Sequence, residues 1–260
     1  MGNSLNIAVL SAMPEEIGAI KDKIKNPKKL NFGDFEILEG TYKAENRYSL
    51  HINLKIAWSG WGKVSSARAA TRLISQYNKE NPLDLLLFTG VAGSASKDVH
   101  QWDIVFGEEL MQHDMDARPI FEKYEIPSLN KKTLRSNKNL IDEIILYLTN
   151  KKDKKDNLEK FGEISKGKIA TGDRFISDKL DLKRLVKEIP GLKAVEMEGA
   201  SVAQVAEQEQ IPWLIMRVIS DEADELAPQI FKDFLHEYKK NSWELIRNIL
   251  EFLIDKNKKN

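Results

Sequence analysis

The sequence predicts an α/β fold built around a largely parallel β-sheet. Short apolar runs alternate along the chain with longer amphipathic stretches, which is typical of strands joined by helices. The 260 residues can bury a substantial core, and a content of 42% hydrophobic and 31% charged residues is that of a globular protein. No internal repeat or break in composition marks a boundary, so we expect one domain spanning residues 1–260.

In the first half, strands appear as short apolar runs and helices as apolar residues repeated at three- and four-residue steps. Pro14 suits the first turn of a helix, where its missing N–H is not needed. Two strands alternate in polarity and should be antiparallel. The predicted elements are strand 5–10, helix 14–25, strands 32–42 and 48–58, helix 63–77, and strands 83–88 and 104–110.

The second half continues the alternation after a less regular middle. A charge-dense segment at 150–160 (NKKDKKDNLEK) is interpreted as a surface loop or helix end. The predicted elements are helix 133–148, strand 166–170, helix 178–188, strand 192–196, helix 199–209, strand 212–219 and helix 229–254.

Charge and cysteine content exclude several classes of function. Forty basic residues balance forty acidic ones, so no overall field favours nucleic acid or a membrane as partner. The absence of cysteine excludes disulfides and thiolate chemistry, and no His, Asp and Glu spacing suits a metal, so we expect no cofactor. Neither a signal peptide nor an apolar run of about 20 residues is apparent, so the expected location is cytoplasmic.

Glycines and carboxylates collect directly after five of the predicted strands. In a parallel α/β sheet these strand ends share one edge, where ligands bind between loops and helix N-termini. The five segments are 13–16 (MPEE), 59–63 (SGWGK), 89–94 (TGVAGS), 196–199 (EMEG) and 220–221 (SD). Their convergence predicts a small-molecule site at this edge.

The acidic residues also have structural interpretations. Glu16 could be a first-turn acid favoured by the helix dipole, and Asp221 could be a helix N-cap. Glu196 and Glu198 lie two apart, so on an extended backbone they share one face and leave Met197 on the other. Two carboxylates at a buried junction need hydrogen bonds or a ligand to offset their desolvation.

Other residues are weaker candidates. Arg217 interrupts an apolar strand and could simply pair with one of the acids. His113 with Asp114 has no serine elbow to serve, so we interpret the pair as structural. The glycine loops match neither a dinucleotide fingerprint nor a phosphate-binding loop, and tight turns explain them as well as substrate contact does. Of the tryptophans at 61, 102 and 213, only Trp61 lies in a candidate loop.

Short motifs recur in a fixed order through nearly the whole chain, from about residue 6 to 234. They are AMPEE at 12–16, SGWGKV at 59–64, TGVAG at 89–93, HDMD at 113–116, GDRFI at 172–176, VEME at 195–198 and RVISD at 217–221. Their order and spacing resemble those of the 5′-methylthioadenosine/S-adenosylhomocysteine nucleosidases, a branch of the purine nucleoside phosphorylase superfamily.

The resemblance implies a three-layer αβα fold, usually a homodimer, and a purine nucleosidase of methionine salvage that uses no cofactor and no metal. Glu16 would be the general base that positions a water at the anomeric carbon, with Arg217 helping to hold that water. Glu198 would bind the ribose hydroxyls. Asp221, supported by Ser220, would protonate purine N7.

The resemblance also implies a set of substrate-binding residues. Phe175 would stack on the base, and the backbone of Ile176 would contact its edge. Phe231 would cover the ribose, and Met197 would pack beneath it. The other predicted lining residues are Met13, Trp61, Val91 and Glu196.

These residue types also suit the cleavage of a ribosyl–adenine bond on chemical grounds. Cleavage places oxocarbenium character on the sugar and negative charge on the base. Asp221, at the end of an apolar strand, should have a raised pKa and remain protonated until it neutralises the leaving group. A carboxylate base would activate water, and each such role is typically worth about 10²–10⁴-fold in rate. Glu198 would fix the sugar where charge develops.

Three departures from the family leave the 5′ substituent open. Val91 stands where many members have serine or threonine, and Trp61 is bulkier than the usual aliphatic residue. The segment 117–121 (ARPIF) is also unlike that of familiar members. The substrate could therefore carry a methylthio, a homocysteinyl or a plain 5′-deoxy group, or be another purine nucleoside.

Three alternative functions are considered. A phosphorylase of the same superfamily would need cationic groups around an anion, where this chain has Pro14, Glu15 and Glu16. A futalosine hydrolase would share the skeleton and bind hypoxanthine instead. A nucleoside-binding protein without turnover is the third, although Glu16, Glu198 and Asp221 are all present.

Overall fold

One mixed β-sheet organises the protein, whose computed structural model describes residues 4–18, 20–44, 50–154 and 157–259. The strands are β1 (Ser4–Ser11), β2 (Lys25–Phe32), β3 (Phe35–Tyr42), β4 (His51–Trp58), β5 (Leu85–Phe88), β6 (Val91–Ser94), β7 (Ile104–Gln112), β8 (Leu134–Arg135), β9 (Ile164–Thr171), β10 (Leu192–Glu196) and β11 (Trp213–Asp221). The α-helices are α1 (Lys63–Ile74), α2 (Lys138–Asp153), α3 (Lys179–Glu188), α4 (Gly199–Gln208) and α5 (Ala227–Lys259).

The strands are ordered β2-β3-β4-β1-β5-β11-β6-β10-β9-β7-β8. The centre, from β4 to β6, is parallel, whereas β2, β3 and β4 form an antiparallel edge. β10 runs antiparallel to β6, and β11 also pairs antiparallel with β7. The predicted α/β class with a mixed, largely parallel sheet is therefore confirmed.

Helices cover both faces of the sheet. On β1, Ile7 and Val9 pack in one core with α2 and α5, while Ala8 and Leu10 pack in another with α1 and α4. This alternation follows from the two-residue period of a strand, which sends successive side chains to opposite faces. The helices on the two faces make the three-layer αβα arrangement that the family resemblance implies.

The predicted helix 14–25 is wrong. The chain forms two short 3-10 turns, Pro14–Glu16 and Lys21–Lys23, and then enters β2. Gly18 has a φ of +74°, which interrupts a right-handed helix. A Cβ at Gly18 would lie 2.8 Å from both the Lys239 carbonyl and the Ser242 Oγ. The close approach of α5 therefore decides the conformation of this segment.

Smaller differences concern the ends of elements. The predicted helix 133–148 begins too early, because Leu134–Arg135 forms β8 and Asn137 caps α2 through a 3.1 Å bond from the Leu140 N–H. The predicted loop 89–94 contains β6. The predicted strand 32–42 spans the end of β2, a turn and β3. Part of the predicted strand 48–58 and of the charged segment 150–160 lies outside the described residues.

The remaining predicted elements match observed ones, with differences of a few residues at their ends. In the part of the chain that the structure describes, none of the helices combines the length and the hydrophobicity required to span a bilayer.

Candidate active site

A cleft with about 550 Å³ of empty space, counted out to its open mouth, brings most of the predicted site residues together. Arg217 does not line the cleft but is buried beside it and bonds to two of the lining carboxylates. The predicted residues that line it are Met13, Glu16, Trp61, Val91, Phe175, Ile176, Glu196, Met197, Glu198, Ser220, Asp221 and Phe231.

The Glu16 carboxyl is buried at the end of the first 3-10 turn. Its Oε2 accepts hydrogen bonds from the backbone N–H groups of Ala12 and Met13, each at 2.8 Å, and its Oε1 accepts one from Val91 at 2.9 Å. Burial raises the pKa of this carboxyl, whereas Arg217, 4.0 Å away, and the three N–H groups lower it. Glu16 is therefore not an exposed first-turn acid but a fixed carboxyl that faces the cleft.

Arg217 is a fully buried guanidinium in the middle of β11. Its Nη2 bonds to Glu196 and lies 3.4 Å from the Oε2 of Glu198. Its Nη1 donates to the Thr89 carbonyl at 3.3 Å and lies 4.0 Å from Glu16. A buried charge requires such partners because its desolvation is costly. One cation therefore serves three carboxylates, and the site carries an excess of acidic groups.

Glu196 and Glu198 both bond to Arg217 but have different surroundings. Glu196 also accepts hydrogen bonds from the Thr171 hydroxyl and from two backbone N–H groups at the start of α4. Glu198 has one further bond, from the Gly62 N–H at 2.8 Å. Burial is the largest effect that raises the pKa of Glu198, and repulsion from Glu196 is the second. Glu196 is thus saturated by the protein, and Glu198 has more capacity to bind a ligand.

Asp221 is buried at the carboxyl end of β11. The Ser220 hydroxyl donates to its Oδ2 at 2.5 Å, and the Ala223 N–H donates to its Oδ1 at 2.9 Å. Burial raises the pKa of Asp221 despite these two bonds, which lower it. Because α5 begins only at Ala227, Asp221 is not its N-cap. Burial therefore favours the protonated form of this group.

The short strand β6 contacts both acids. Val91 donates its N–H to Glu16, and Gly93 pairs with Asp221 two residues further on. Two residues of extended chain span about 7 Å, so the strand holds the two carboxyls at separate points of one cleft. Sequence reasoning treated this strand as a loop, because four residues with a glycine give little strand signal.

Aromatic and apolar side chains form the rest of the wall. Phe231, at the start of α5, contacts Phe175 edge-on at 5.8 Å between ring centroids and Trp61 edge-on at 6.1 Å. Trp61 is 51% exposed at the mouth. Flat apolar surfaces of this kind suit an aromatic base or a thioether. The other apolar lining residues are Met13, Val91, Ile176 and Met197.

His113 and Asp114 do not line the cleft. Asp114 accepts bonds from the Lys63 ammonium at 2.6 Å and from the Asp173 N–H at 2.9 Å, while Asp173 accepts from the Lys63 N–H at 2.7 Å. The His113 ring packs so closely on Gly172 that a Cβ there would collide with it. These contacts join three loops beside the cleft, in agreement with the structural interpretation of the pair.

Sequence reasoning missed two residues that complete the site. Thr171 ends β9, and its hydroxyl donates to Glu196 while accepting from the Ala200 N–H at 2.8 Å. Arg174 lines the cleft and is bonded to Asp181 on α3. A polar residue that ends an apolar strand directly before the GDRFI motif was a usable signal for Thr171, whereas no local signal indicated which partner Arg174 takes.

The chemistry that this arrangement supports is acid–base catalysis on a ligand with a flat apolar part. Two carboxyls with raised pKa values lie in one cleft with separate hydrogen-bond partners, which is a pattern of functional acids. Among the described residues, no group of three or more His, Asp and Glu side chains is arranged to hold a metal ion.

Comparison with known proteins gives consistent results. The family profile of the phosphorylase superfamily matches residues 6–251. The 5′-methylthioadenosine/S-adenosylhomocysteine nucleosidase of Bacillus cereus strain B4264 is 31% identical over 251 residues, which cover 96% of this chain and 100% of that protein. The Bacillus subtilis enzyme of the same name is 29% identical over 250 residues, or 95% and 99% of the two chains.

Solved structures show the same similarity. A nucleosidase of this name from Colwellia psychrerythraea, in complex with adenine, superposes with a TM-score of 0.82 at 27% identity, covering 96% of each chain. Futalosine hydrolase from Helicobacter pylori superposes with a TM-score of 0.80 at 29% identity, covering 95% of this chain and 97% of the other.

Proposed function

Because the chain belongs to the 5′-methylthioadenosine/S-adenosylhomocysteine nucleosidase family of the phosphorylase superfamily, we propose that it hydrolyses these two nucleosides to adenine and the ribose derivative. It is a purine nucleosidase, an N-glycosyl hydrolase, and 5′-deoxyadenosine is proposed as a further substrate. The observation that carries the proposal is the pair of buried carboxyls, Glu16 and Asp221, held apart in one aromatic-walled cleft.

Asp221 acts as the general acid in this mechanism. Burial raises its pKa and so favours the protonated form, and transfer of that proton to purine N7 neutralises the leaving base. Ser220 orients the carboxyl through its 2.5 Å bond. Since negative charge develops on the base as the bond to the sugar breaks, the donor is needed most at the transition state.

Glu16 acts as the base that positions and deprotonates the attacking water, with Arg217 beside it. The three backbone N–H groups on Glu16 fix its orientation, which limits the entropy lost in the reaction. Glu198 binds the ribose hydroxyls and stabilises the positive charge that develops on the sugar. Met197 packs under the ribose, and Phe231 covers it.

The base and the 5′ group occupy the apolar part of the cleft. Phe175 stacks on the adenine, the backbone of Ile176 contacts its edge, and Met13 and Trp61 lie near the 5′ substituent. Val91 has no side-chain hydroxyl. It contributes to the water site through its backbone N–H, which donates to Glu16.

The charge of the cleft supports water over phosphate as the nucleophile. Glu16, Glu196 and Glu198 line it, and the buried guanidinium of Arg217 is already bonded to Glu196 and Glu198. A phosphate anion needs several unengaged cationic donors and would be repelled here. Neutral water carries no such penalty.

The test is base release by the purified protein from 5′-methylthioadenosine, first without phosphate and then with excess phosphate. We expect adenine and free methylthioribose at rates that phosphate does not change. A requirement for phosphate, with a sugar phosphate as product, would overturn the hydrolase assignment. Futalosine belongs in the same assay, because a futalosine hydrolase is among the similar structures, and preferential release of hypoxanthine would favour that function.

A further inference from the structure

Two of the sequence motifs carry aspartates that the proposed mechanism does not use. They are Asp114 in the HDMD motif and Asp173 in the GDRFI motif. Together with Lys63, the first residue of α1, they lie beside the cleft but do not line it. Trp61 and Arg174, one or two positions away in the chain, do line it. We call the three charged residues the Asp114 network.

Each member of the Asp114 network is bonded to the other two. The Asp114 carboxylate accepts a hydrogen bond from the Lys63 ammonium at 2.6 Å and another from the Asp173 N–H at 2.9 Å. The Asp173 carboxylate accepts from the Lys63 N–H at 2.7 Å. Asp114 uses one oxygen for each of its bonds, so a single carboxylate links the start of α1 to the loop that follows β9.

The Asp114 network contacts Gly62, whose backbone binds Glu198. The N–H of Gly62 donates to the Glu198 Oε1 at 2.8 Å. Gly62 has a φ of +91°, and a Cβ added to it would lie 2.8 Å from the Asp173 Oδ1, the atom that also accepts from Lys63. A glycine has little conformational preference of its own. The direction of the Gly62 N–H therefore depends on its contacts with Asp173 and Lys63.

Lys63 also connects the network to α4, the helix that begins directly after Glu198. Its ammonium donates to the Gln112 side-chain oxygen at 3.2 Å, and the Gln112 amide donates to Gln204 on α4 at 2.7 Å. A displacement of Lys63 would therefore reach Glu198 by two paths, through the backbone of Gly62 and through α4.

The Glu198 carboxylate depends on the Gly62 N–H because it has few other partners. Among the described residues, its other bond is to Arg217, whose Nη2 lies 3.4 Å from Oε2. Without the Gly62 N–H, the carboxylate would be free to rotate toward the guanidinium. We propose that Asp114 is a positioning residue of the ribose site, which holds Lys63 and Asp173 in place and so keeps the Gly62 N–H on Glu198.

This inference rests on the proposed function, because it takes Glu198 as the group that binds the ribose hydroxyls. The network has a second route to the substrate, since Asp173 lies two residues before Phe175, which stacks on the base in the proposed mechanism. The two routes predict different results with a substrate that lacks the 2′ hydroxyl. A loss that acts through Glu198 should nearly disappear with that substrate, whereas a loss that acts through Phe175 should remain.

The experiment compares Asp114→Asn and Lys63→Met with the wild type, using 5′-methylthioadenosine and its 2′-deoxy analogue. The amide nitrogen of asparagine cannot accept a hydrogen bond, so Asp114→Asn loses one of its two bonds. For each variant we expect kcat/KM for 5′-methylthioadenosine to fall by about tenfold, less than the roughly 10²-fold that a 1 Å misplacement can cause. Most of the change should be in KM, because bound substrate already makes the ribose contact. For the 2′-deoxy analogue the fall should be less than about threefold, because the disturbed contact is then largely absent.

A double variant tests the same connection without a change of substrate. Glu198→Gln should lower kcat/KM by itself, and adding Asp114→Asn should lower it no further, because both changes act on one contact. Asp116→Asn is the matched control, since Asp116 belongs to the same motif but pairs with Arg118, whose Nε donates to it at 2.8 Å. This control should have wild-type kinetics with both substrates.

The variants should fold, so that a kinetic loss reports positioning. Lys63 and Asp114 are partly exposed, and ion pairs of this kind contribute little to stability. The hydroxyls of Ser66 and Ser201, 2.5 Å apart, still join α1 to α4. We expect the Tm of Asp114→Asn to fall by no more than about 4 °C.

Three kinetic results would overturn the proposal: wild-type kcat/KM in Asp114→Asn, equal losses with the two substrates, or a further loss in the double variant. If the wild type released no base, the proposed function would fail separately. Hydrogen–deuterium exchange of the peptide that contains Gly62, which needs no substrate, would then decide the role of Asp114. Faster exchange in Asp114→Asn than in the wild type and Asp116→Asn would support the positioning role, and equal exchange would overturn it.

Discussion

At the scale of single residues, four carboxyls of the site differ in their hydrogen-bond and ion-pair partners. Arg217 bonds to Glu196 and lies near Glu198 and Glu16, whereas Asp221 accepts bonds from the Ser220 hydroxyl and the Ala223 N–H. The same residue type therefore takes different roles according to its surroundings, as acid–base pairs in enzymes commonly do.

Replacing Glu16 by glutamine tests the proposed base. The amide keeps the size of the side chain but cannot accept a proton, and it cannot accept all three backbone N–H bonds. We expect kcat for 5′-methylthioadenosine to fall by about 10²–10⁴-fold, the usual worth of a general base. Single-turnover kinetics would measure the chemical step. Glu15→Gln, one residue away and outside the cleft lining, should stay close to wild type, and an active Glu16→Gln enzyme would contradict the assignment.

Replacing Asp221 by asparagine tests the proposed acid. Burial raises the pKa of Asp221, and its protonated form is the active one, so wild-type activity should fall as pH rises through that raised pKa. Asparagine should lower kcat by about 10²–10⁴-fold and remove the alkaline limb. The pH profile of kcat measures both effects. A variant that keeps the wild-type alkaline limb would rule out Asp221 as its source.

The same substitution has a consequence for stability. A carboxyl whose pKa is higher in the folded than in the unfolded state stabilises the fold below its unfolded pKa, and this contribution is lost as pH rises through the folded pKa. Above the folded pKa the ionised form therefore destabilises the fold. We expect the Tm of Asp221→Asn to be at least that of the wild type at pH values above the alkaline limb, while activity is lost.

At the scale of elements, close backbone approach explains why short segments matter more here than long ones. The two residues before the turn Pro14–Glu16, Ala12 and Met13, and the first residue of β6, Val91, supply the three backbone bonds of Glu16. Gly90 lies at the tightest point, with a φ of +151° and both Arg217 and Glu16 directly against it. A side chain at this position cannot be accommodated without moving Glu16 or Arg217.

Gly90→Ala should therefore lose activity and stability together. Strain and overpacking of this kind cost about 1–3 kcal/mol, and displacement of Glu16 and Arg217 should remove most turnover. Gly33→Ala is a matched control, because Gly33 also has a positive φ, of +68°, but nothing lies within 4 Å of its added Cβ. Thermal unfolding and kcat should both fall for Gly90→Ala, whereas Gly33→Ala should lose stability only. Wild-type kcat in Gly90→Ala would contradict the geometry.

Trp61, Phe231 and Phe175 form an aromatic row that joins two loops and α5 at the cleft. Replacing Trp61 by isoleucine should widen the space for the 5′ substituent. We expect kcat/KM for S-adenosylhomocysteine to rise relative to that for 5′-methylthioadenosine, with kcat changing less than KM because Trp61 has no part in the proposed proton transfers. Val64→Ala, at the second residue of α1 where the side chain is 81% exposed, is the control. An unchanged substrate ratio in Trp61→Ile would remove Trp61 as a specificity residue.

At the scale of the whole molecule, the topology of the sheet creates the site. β10 runs antiparallel to β6, while β11 runs parallel to it, so the carboxyl ends of β10 and β11 approach each other across β6. The predicted convergence of strand ends is observed, but the reason differs for Glu196 and Glu198. Glu196 and Glu198 lie at the end of β10, which runs opposite to β11, and not at the shared edge of parallel strands.

The homodimer implied by the family resemblance is a prediction at this scale. Light scattering should give twice the chain mass of 29.7 kDa over a range of concentrations. A single-chain mass at all concentrations that support full activity would contradict it, and the cleft of one chain would then be sufficient for turnover.

Much of the fold and of the site could be predicted from the sequence. Apolar runs located most strands, such as β1 and β10, because burial on a sheet imposes a local pattern. Residues after those strands, including Glu16, Glu198 and Asp221, were predicted to meet, and they line one cleft. These features depend on residues that are close together in the chain, so they can be predicted from the sequence.

Other features depend on contacts between distant parts of the chain, and only the tertiary structure decided them. The segment 14–25 has a helical pattern, yet the approach of α5 at Gly18 and the pairing of β2 with β3 prevent a helix. Glu16 accepts a hydrogen bond from the N–H of Val91, 75 residues away, and Arg217 on β11 donates to the Thr89 carbonyl. Periodicity reports which residues are buried, but not which partners they meet, because partners are set by the packing of whole elements. The sequence by itself therefore determined the class of fold and the chemical groups of the site, and the packing determined their geometry.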